Sequence, residues 1–200
     1  MYYLRLTNKM EIRNIIMKKI LALLILITYP GISLFSQRTP ISISNVKEKD
    51  RLLSIKVHND ARKEVGTSPL EWSIELANDA QNYADNLAKY DGRLVHSSQR
   101  GQGENLYKTW SSSGNTDILT NNPAEAASIC WYDEIKFYRY SKVRRFRIGP
   151  AVGHYTQMIW DKTTHFGIGW SVSKTGKYYV VARYSPSGNW IKEYPYKRNK

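Results

Sequence analysis

The stretch Phe166-Gly167-Ile168-Gly169-Trp170-Ser171-Val172 leads through Lys174-Thr175-Gly176 into Tyr178-Tyr179-Val180-Val181-Ala182-Arg183-Tyr184. Both arms are rich in β-branched and aromatic residues, which suit a pleated surface, and the short glycine-bearing link suits a chain reversal. Together they predict an antiparallel hairpin. Upstream the period changes. Leu53, Val57, Ala61 and Val65 recur every fourth residue and Gly66 follows, which predicts an amphipathic helix with a glycine stop. Ser73 can cap a second helix carrying Leu76, Ala80, Tyr83 and Leu87 on one stripe, closed by Asp91-Gly92. A third helix opens with Asn122 as cap and Pro123 at the first helical position, and carries Ala127, Trp131, Ile135 and Tyr138. Between them, Ser97 to Asn115 reads as a Gly/Ser-rich loop region. Helices first and strands later imply an α+β architecture, with helices covering a small antiparallel sheet.

Two hundred residues are ample for one core and thin for two. The organisation read from the chain is a signal peptide within 1–36, a polar leader over 37–46, one domain over 47–192 and a basic tail over 193–200. Lys18-Lys19 before the apolar run Ile20 to Ile27 is a basic region followed by a hydrophobic one, with Met17 as an alternative start. Gly31-Ile32-Ser33 offers a small-x-small cleavage site, and Ser36-Gln37 a poorer second one. An uncleaved membrane anchor is the alternative, although Pro30 and Gly31 interrupt a run short of the roughly 20 residues a span needs. Export to the extracellular space is therefore the expectation. Cys130 is the single cysteine, so no internal disulfide can form; placed in a helical pattern, it reads as a small core residue.

The formal charge is +13, of which Arg5, Lys9, Arg13, Lys18 and Lys19 against Glu11 contribute four, leaving the remainder at +9. Such a domain favours anionic partners such as lipid headgroups, sulfated glycans or nucleic acid, the alternative being a solvated, self-repelling surface. The absence of helix-turn-helix, RNP and zinc-finger patterns argues against nucleic acid.

No HExxH, CxxC, GxSxG, P-loop or dinucleotide fingerprint is present, so single residues carry the chemical argument. Helical spacing puts Glu134 on the stripe of Ala127, Cys130, Trp131 and Tyr138, where a carboxylate needs a histidine, a metal or a basic group opposite. A stripe-edge position, with Lys136 or Arg139 as partner, is the alternative. His96 and Glu104 flank a loop in which Gly101 and Gly103 let the backbone turn both side chains toward one cavity. His154 follows Gly153 at a helix start. Two imidazoles and two carboxylates would suffice for zinc or a similar divalent ion. His58, with Arg62 four residues on, and His165, at a strand entrance, read as structural groups.

Six ordered motifs then resemble one family over about 140 residues. They are His58-Asn59-Asp60-Ala61-Arg62, Pro69-Leu70-x-Trp72, Leu94-Val95-His96-Ser97, Gly103-Glu104-Asn105-Leu106, Trp131-Tyr132-x-Glu134 and Gly153 to Trp160. The sequence is similar to CAP domains, the superfamily of cysteine-rich secretory proteins, venom antigen 5 and plant pathogenesis-related class 1 proteins. Its ending from Val180 to Asn189, with a single cysteine in the chain, looks most like the disulfide-poor, Golgi-associated branch. The resemblance implies a three-layer α-β-α sandwich with a central cleft where His96, Glu104, Glu134 and His154 converge. It further implies that His96 and His154 can bind zinc or another divalent metal, with Glu104 and Glu134 holding water or orienting the ligands. The cysteines of the secreted branches are missing, Ser187 replaces a usual proline, and no cysteine-rich C-terminal module follows, so channel blocking is not carried over.

Three functions follow as expectations. One is a secreted binding module for a lipid, a sterol or an anionic membrane surface. The second is a hydrolase of esters or peptides, using a metal-held water or Ser97, with Glu104 or Glu134 as base beside His96 and His154. The third is an extracellular effector whose loop Lys108 to Asn121 meets an unknown protein partner.

Overall fold

The computed structural model describes residues 43–110, 121–146 and 148–198. The expected signal segment and most of the leader lie outside them, as does most of the loop expected to meet a partner.

The expected hairpin forms. Strand β3 (His165–Val172) pairs antiparallel with β4 (Tyr178–Ser185), and Gly176, at φ +80°, makes the turn between them. Two further strands extend it into a sheet of order β1-β3-β4-β2. Strand β1 (Glu71–Trp72) adds to β3 in parallel, so the sheet is mixed rather than wholly antiparallel. Strand β2 (Gly103–Thr109) adds antiparallel to β4 and lies inside the stretch expected to be loop. Its polar residues carry little strand signal of their own. The ladder from Gly103↔Tyr184 to Thr109↔Tyr178 overrides that weak preference.

Alternation along the hairpin assigns the two faces. Phe166, Ile168, Val180, Ala182 and Tyr184 join a core with Ala61, Ala124, Ala127, Trp131, Tyr155 and Met158. Ala80, Ala84, Leu106 and Val181 pack on the opposite face. Gly167 and Gly169 also face that way, and a side chain on either would collide with the backbone of Ala77 or Gln81. The helix α2 (Ile74–Tyr90) therefore lies directly on β3. It begins where expected, with the Ser73 hydroxyl accepting the Leu76 N–H at 3.2 Å, and ends at Asp91 in the left-handed region.

The other layer holds α1 (Glu48–Val65) and α3 (Pro123–Tyr132). Gly66 ends α1 as expected, but the buried face of α1 is not the apolar stripe. Asp50, Ser54, His58, Ala61 and Arg62 are buried, whereas Leu53, Val57 and Val65 are only partly so. Polar groups are tolerated there because each finds a partner. Asp50, for example, accepts the N–H groups of Ala124 (3.0 Å) and Glu125 (2.8 Å), capping α3 from another helix. The side chain of Asn122 makes no cap bond, contrary to its expected role. Helix α3 stops at Tyr132 and tightens into a 3-10 turn over Asp133–Phe137, so Glu134 leaves the α-helical stripe. Cys130 is exposed rather than in the core. Helices on both faces of a four-stranded sheet make the α-β-α arrangement.

Candidate functional site

Glu134 meets a histidine and a helix start at once. Its Oε1 lies 2.7 Å from His154 Nδ1, and its Oε2 accepts the backbone N–H groups of His154 (2.9 Å) and Tyr155 (3.1 Å). Those two N–H groups belong to the first turn of α4 (Gly153–Met158), where no intrahelical acceptor exists. The partner that the carboxylate was expected to need is thus found. Asn189 holds the same helix start from the other side, accepting the Thr156 hydroxyl at 2.7 Å and donating to the Gly153 carbonyl at 2.8 Å.

The second pair is built on the sheet. Glu104 Oε1 meets His96 Nδ1 at 2.6 Å and accepts the Ser97 N–H at 3.0 Å. Its Oε2 is 2.9 Å from Arg183 Nη2, the strand partner opposite it in register. Glu104 is 7% and Arg183 3% exposed at the side chain, against 67% for His96. The guanidinium also lies over the Tyr83 ring, 5.3 Å from its centroid. Burial works to raise the Glu104 carboxyl, but hydrogen bonds from His96 and Ser97 and the charge of Arg183 outweigh it, holding it below the usual range. The hydrogen bond to Glu104 raises the His96 imidazole in turn.

Asn105 joins the two pairs. Next in chain to Glu104, it donates from Nδ2 to the His154 carbonyl and to the Tyr184 hydroxyl, both at 3.1 Å. His96 and Glu104 line a cleft of about 410 Å³ together with Gln157, Gly188, Asn189, Trp190 and Ile191. Gln157, one turn along α4 from His154, accepts the Gly188 N–H at 2.9 Å. A side chain at Gly103 or Gly188 would run into Gln157, so the cleft floor depends on both glycines. Gly101 supplies the turn expected of it, at φ +81°.

The remaining histidines lie elsewhere. His165 is exposed and 3.6 Å from Glu71. His58 is wholly buried, bonded at 2.9 Å to the Ser54 carbonyl and at 2.9 Å to the Tyr184 hydroxyl, and burial pushes its imidazole down to about 4. Beside it, Arg62 donates to the carbonyls of Ser68, Met158, Trp160 and Thr163.

Sequence reasoning missed Arg183, Asn105, Gln157 and Asn189 as site residues. Arg183 alone carried a local sign, as a charge in a strand of otherwise apolar and aromatic residues. The others act through contacts made by distant parts of the chain.

Chemically, both imidazoles present Nδ1 to a carboxylate. A carboxylate accepts, so Nδ1 donates to it, and in the neutral ring Nε2 is then the nitrogen with the free lone pair. That is the orientation a metal-binding histidine takes. Among the described residues no group of three or more His, Cys, Asp and Glu is gathered as a metal cage. Among the described residues Ser97 addresses Glu104 and not an imidazole, so it is not part of a serine-histidine relay.

Residues 55–184 match the family model described as the cysteine-rich secretory protein family, CAP. The chain is 38% identical over 142 residues to pathogenesis-related leaf protein 4 of Solanum lycopersicum, covering 71% of this chain and 80% of that one. It is 36% identical over 142 residues to Golgi-associated plant pathogenesis-related protein 1 of Homo sapiens, covering 70% and 84%. Among solved structures it is similar to Na-ASP-1 (TM-score 0.68, 23% identity), covering 82% of this chain and 45% of that one. It is also similar to NaASP2 with Zn2+ (TM-score 0.66, 23% identity), covering 80% and 92%.

Proposed function

The chain belongs to the cysteine-rich secretory protein (CAP) family, and from that premise we propose that it is a secreted binding module whose cleft holds a divalent cation. The observation that carries this reading is the matched pair of imidazoles, each turned by a glutamate so that Nε2 is left as a donor to a metal. His96 and His154 would hold the ion, with Glu104 and Glu134 fixing their rings. The zinc in NaASP2 supports the choice of metal. A bound cation would supply charge and a coordination point for an oxygen-bearing ligand. Export is supported by the basic-then-apolar N-terminus and the secretory character of the family.

Binding is favoured over serine-based hydrolysis because, among the described residues, Ser97 meets Glu104 rather than an imidazole base. A lipid or sterol ligand is the second reading, favoured by Trp190 and Ile191, which line the cleft and are 56% and 49% exposed. An extracellular partner protein is compatible with the same module.

Calorimetric titration with zinc tests the primary reading. Saturable binding by the wild-type chain, lost in the His96→Ala, His154→Ala double variant with its circular dichroism intact, is expected. No saturable binding by the wild type overturns it.

A further inference from the structure

At the rim of the cleft, where Trp190 and Ile191 lie, two segments come together. The first is residues 139–146 with Ile148, among which are Arg139, Lys142, Arg144 and Arg145 and no acidic residue. The second is Trp190 to Arg198. Val143 donates its N–H to the Glu193 carbonyl and accepts the Lys192 N–H at its own, both at 2.8 Å. The Tyr140 and Tyr194 rings stack at 4.8 Å, and the Tyr140 hydroxyl donates to the Tyr196 carbonyl at 2.9 Å. Lys142 lies over Tyr194 and Arg198 over Tyr140, so the cations ride on the aromatic pair.

Both segments carry exposed apolar groups as well as cations. Phe146 is 85% exposed and Ile148 fully so, and Trp190, Ile191 and Tyr194 are each about half exposed. Large side chains this open on a soluble surface usually mark a contact. The acidic residue within the second segment, Glu193, is already paired with Lys162 at 2.8 Å.

We propose that this face seats on an anionic lipid bilayer, with Phe146, Ile148, Trp190 and Ile191 entering the headgroup boundary and Lys142, Arg144, Arg145 and Lys192 meeting lipid phosphates and carboxylates. The mixture selects this partner. A sulfated glycan would use the arginines and leave Phe146 and Ile148 in water, whereas an interfacial face needs apolar groups to bury and cations to hold them at a negative surface. Trp and Tyr, apolar at one end and polar at the other, suit that boundary.

Co-sedimentation of the full chain with phosphatidylcholine vesicles, with and without phosphatidylserine, tests this. Binding to the phosphatidylserine vesicles alone, weakening as salt rises, is expected. Both Arg144→Glu with Arg145→Glu and Phe146→Asp with Ile148→Asp should weaken it by about tenfold or more, while leaving circular dichroism and the thermal transition unchanged. If Phe146→Asp with Ile148→Asp binds like the wild type, the apolar contact is absent and the proposal fails. Retention on heparin with no vesicle binding would make the patch a glycan site and also overturn it. Equal binding by all variants would place the membrane contact elsewhere in the chain.

Discussion

Glu104 and Glu134 each hold an imidazole by Nδ1, at 2.6 and 2.7 Å, but what holds the two glutamates differs. Glu134 rests on neutral donors, the two N–H groups that open α4, whose partial positive charge suits a carboxylate. Glu104 rests on a full charge, the buried Arg183, helped by one loop N–H. One carboxylate is satisfied by backbone geometry, the other by an ion pair. Backbone donors persist as long as the helix does, whereas an ion pair vanishes with one side chain.

The sharpest way to break this contrast is Arg183→Met, which keeps volume and strands the buried Glu104. A loss of about 3–5 kcal/mol is expected, since removing one partner of a buried pair leaves an uncompensated charge. Denaturant unfolding measures it, and a loss under about 1 kcal/mol would refute the supporting role assigned to Arg183.

A third imidazole sharpens the contrast from the other side, because no carboxylate meets His58. Burial lowers it to about 4, so the unfolded chain binds a proton that the folded one refuses. Stability should therefore be full above about pH 6.5 and fall by about 3 kcal/mol as pH drops to 4. In His58→Gln this component should disappear from the unfolding midpoint measured against pH; an unchanged slope would contradict it.

The smallest expected effect is Glu134→Gln. The amide oxygen can still accept an N–H of α4, so only about 1–2 kcal/mol should be lost. Unfolding of this variant beside Arg183→Met gives the ranking directly, and a reversed order would mean that the helix start is the more important support.

The two supports also differ in how far they could be read from the chain. Glu134 was recognisable because a carboxylate among Ala127, Trp131 and Tyr138 needs a partner, even though the 3-10 turn shifts its register. The caps at Ser73 and Gly66 and the turn at Gly176 were legible because their chemistry is local. Strand β2 was not, because Glu104, Asn105 and Lys108 look like loop until β4 pairs with them. Helix α1 was misjudged for a related reason. Its interior face is polar, and only the opposing groups show why Asp50, His58 and Arg62 turn inward. The resemblance to CAP domains named His96, Glu104 and His154, while residue chemistry by itself singled out Glu134 alone.

Arg62 has a consequence beyond the site. Its guanidinium gathers carbonyls from the turn after α1, the end of α4 and the entry to β3, up to 101 positions from Arg62 in the chain. Burial brings it down only to about 10, so it stays charged at neutral pH. Domains of this size in oxidising surroundings commonly join such segments with disulfides. Here the joint is a fan of hydrogen bonds that thiols cannot cleave, so the fold should be indifferent to the redox state of its surroundings.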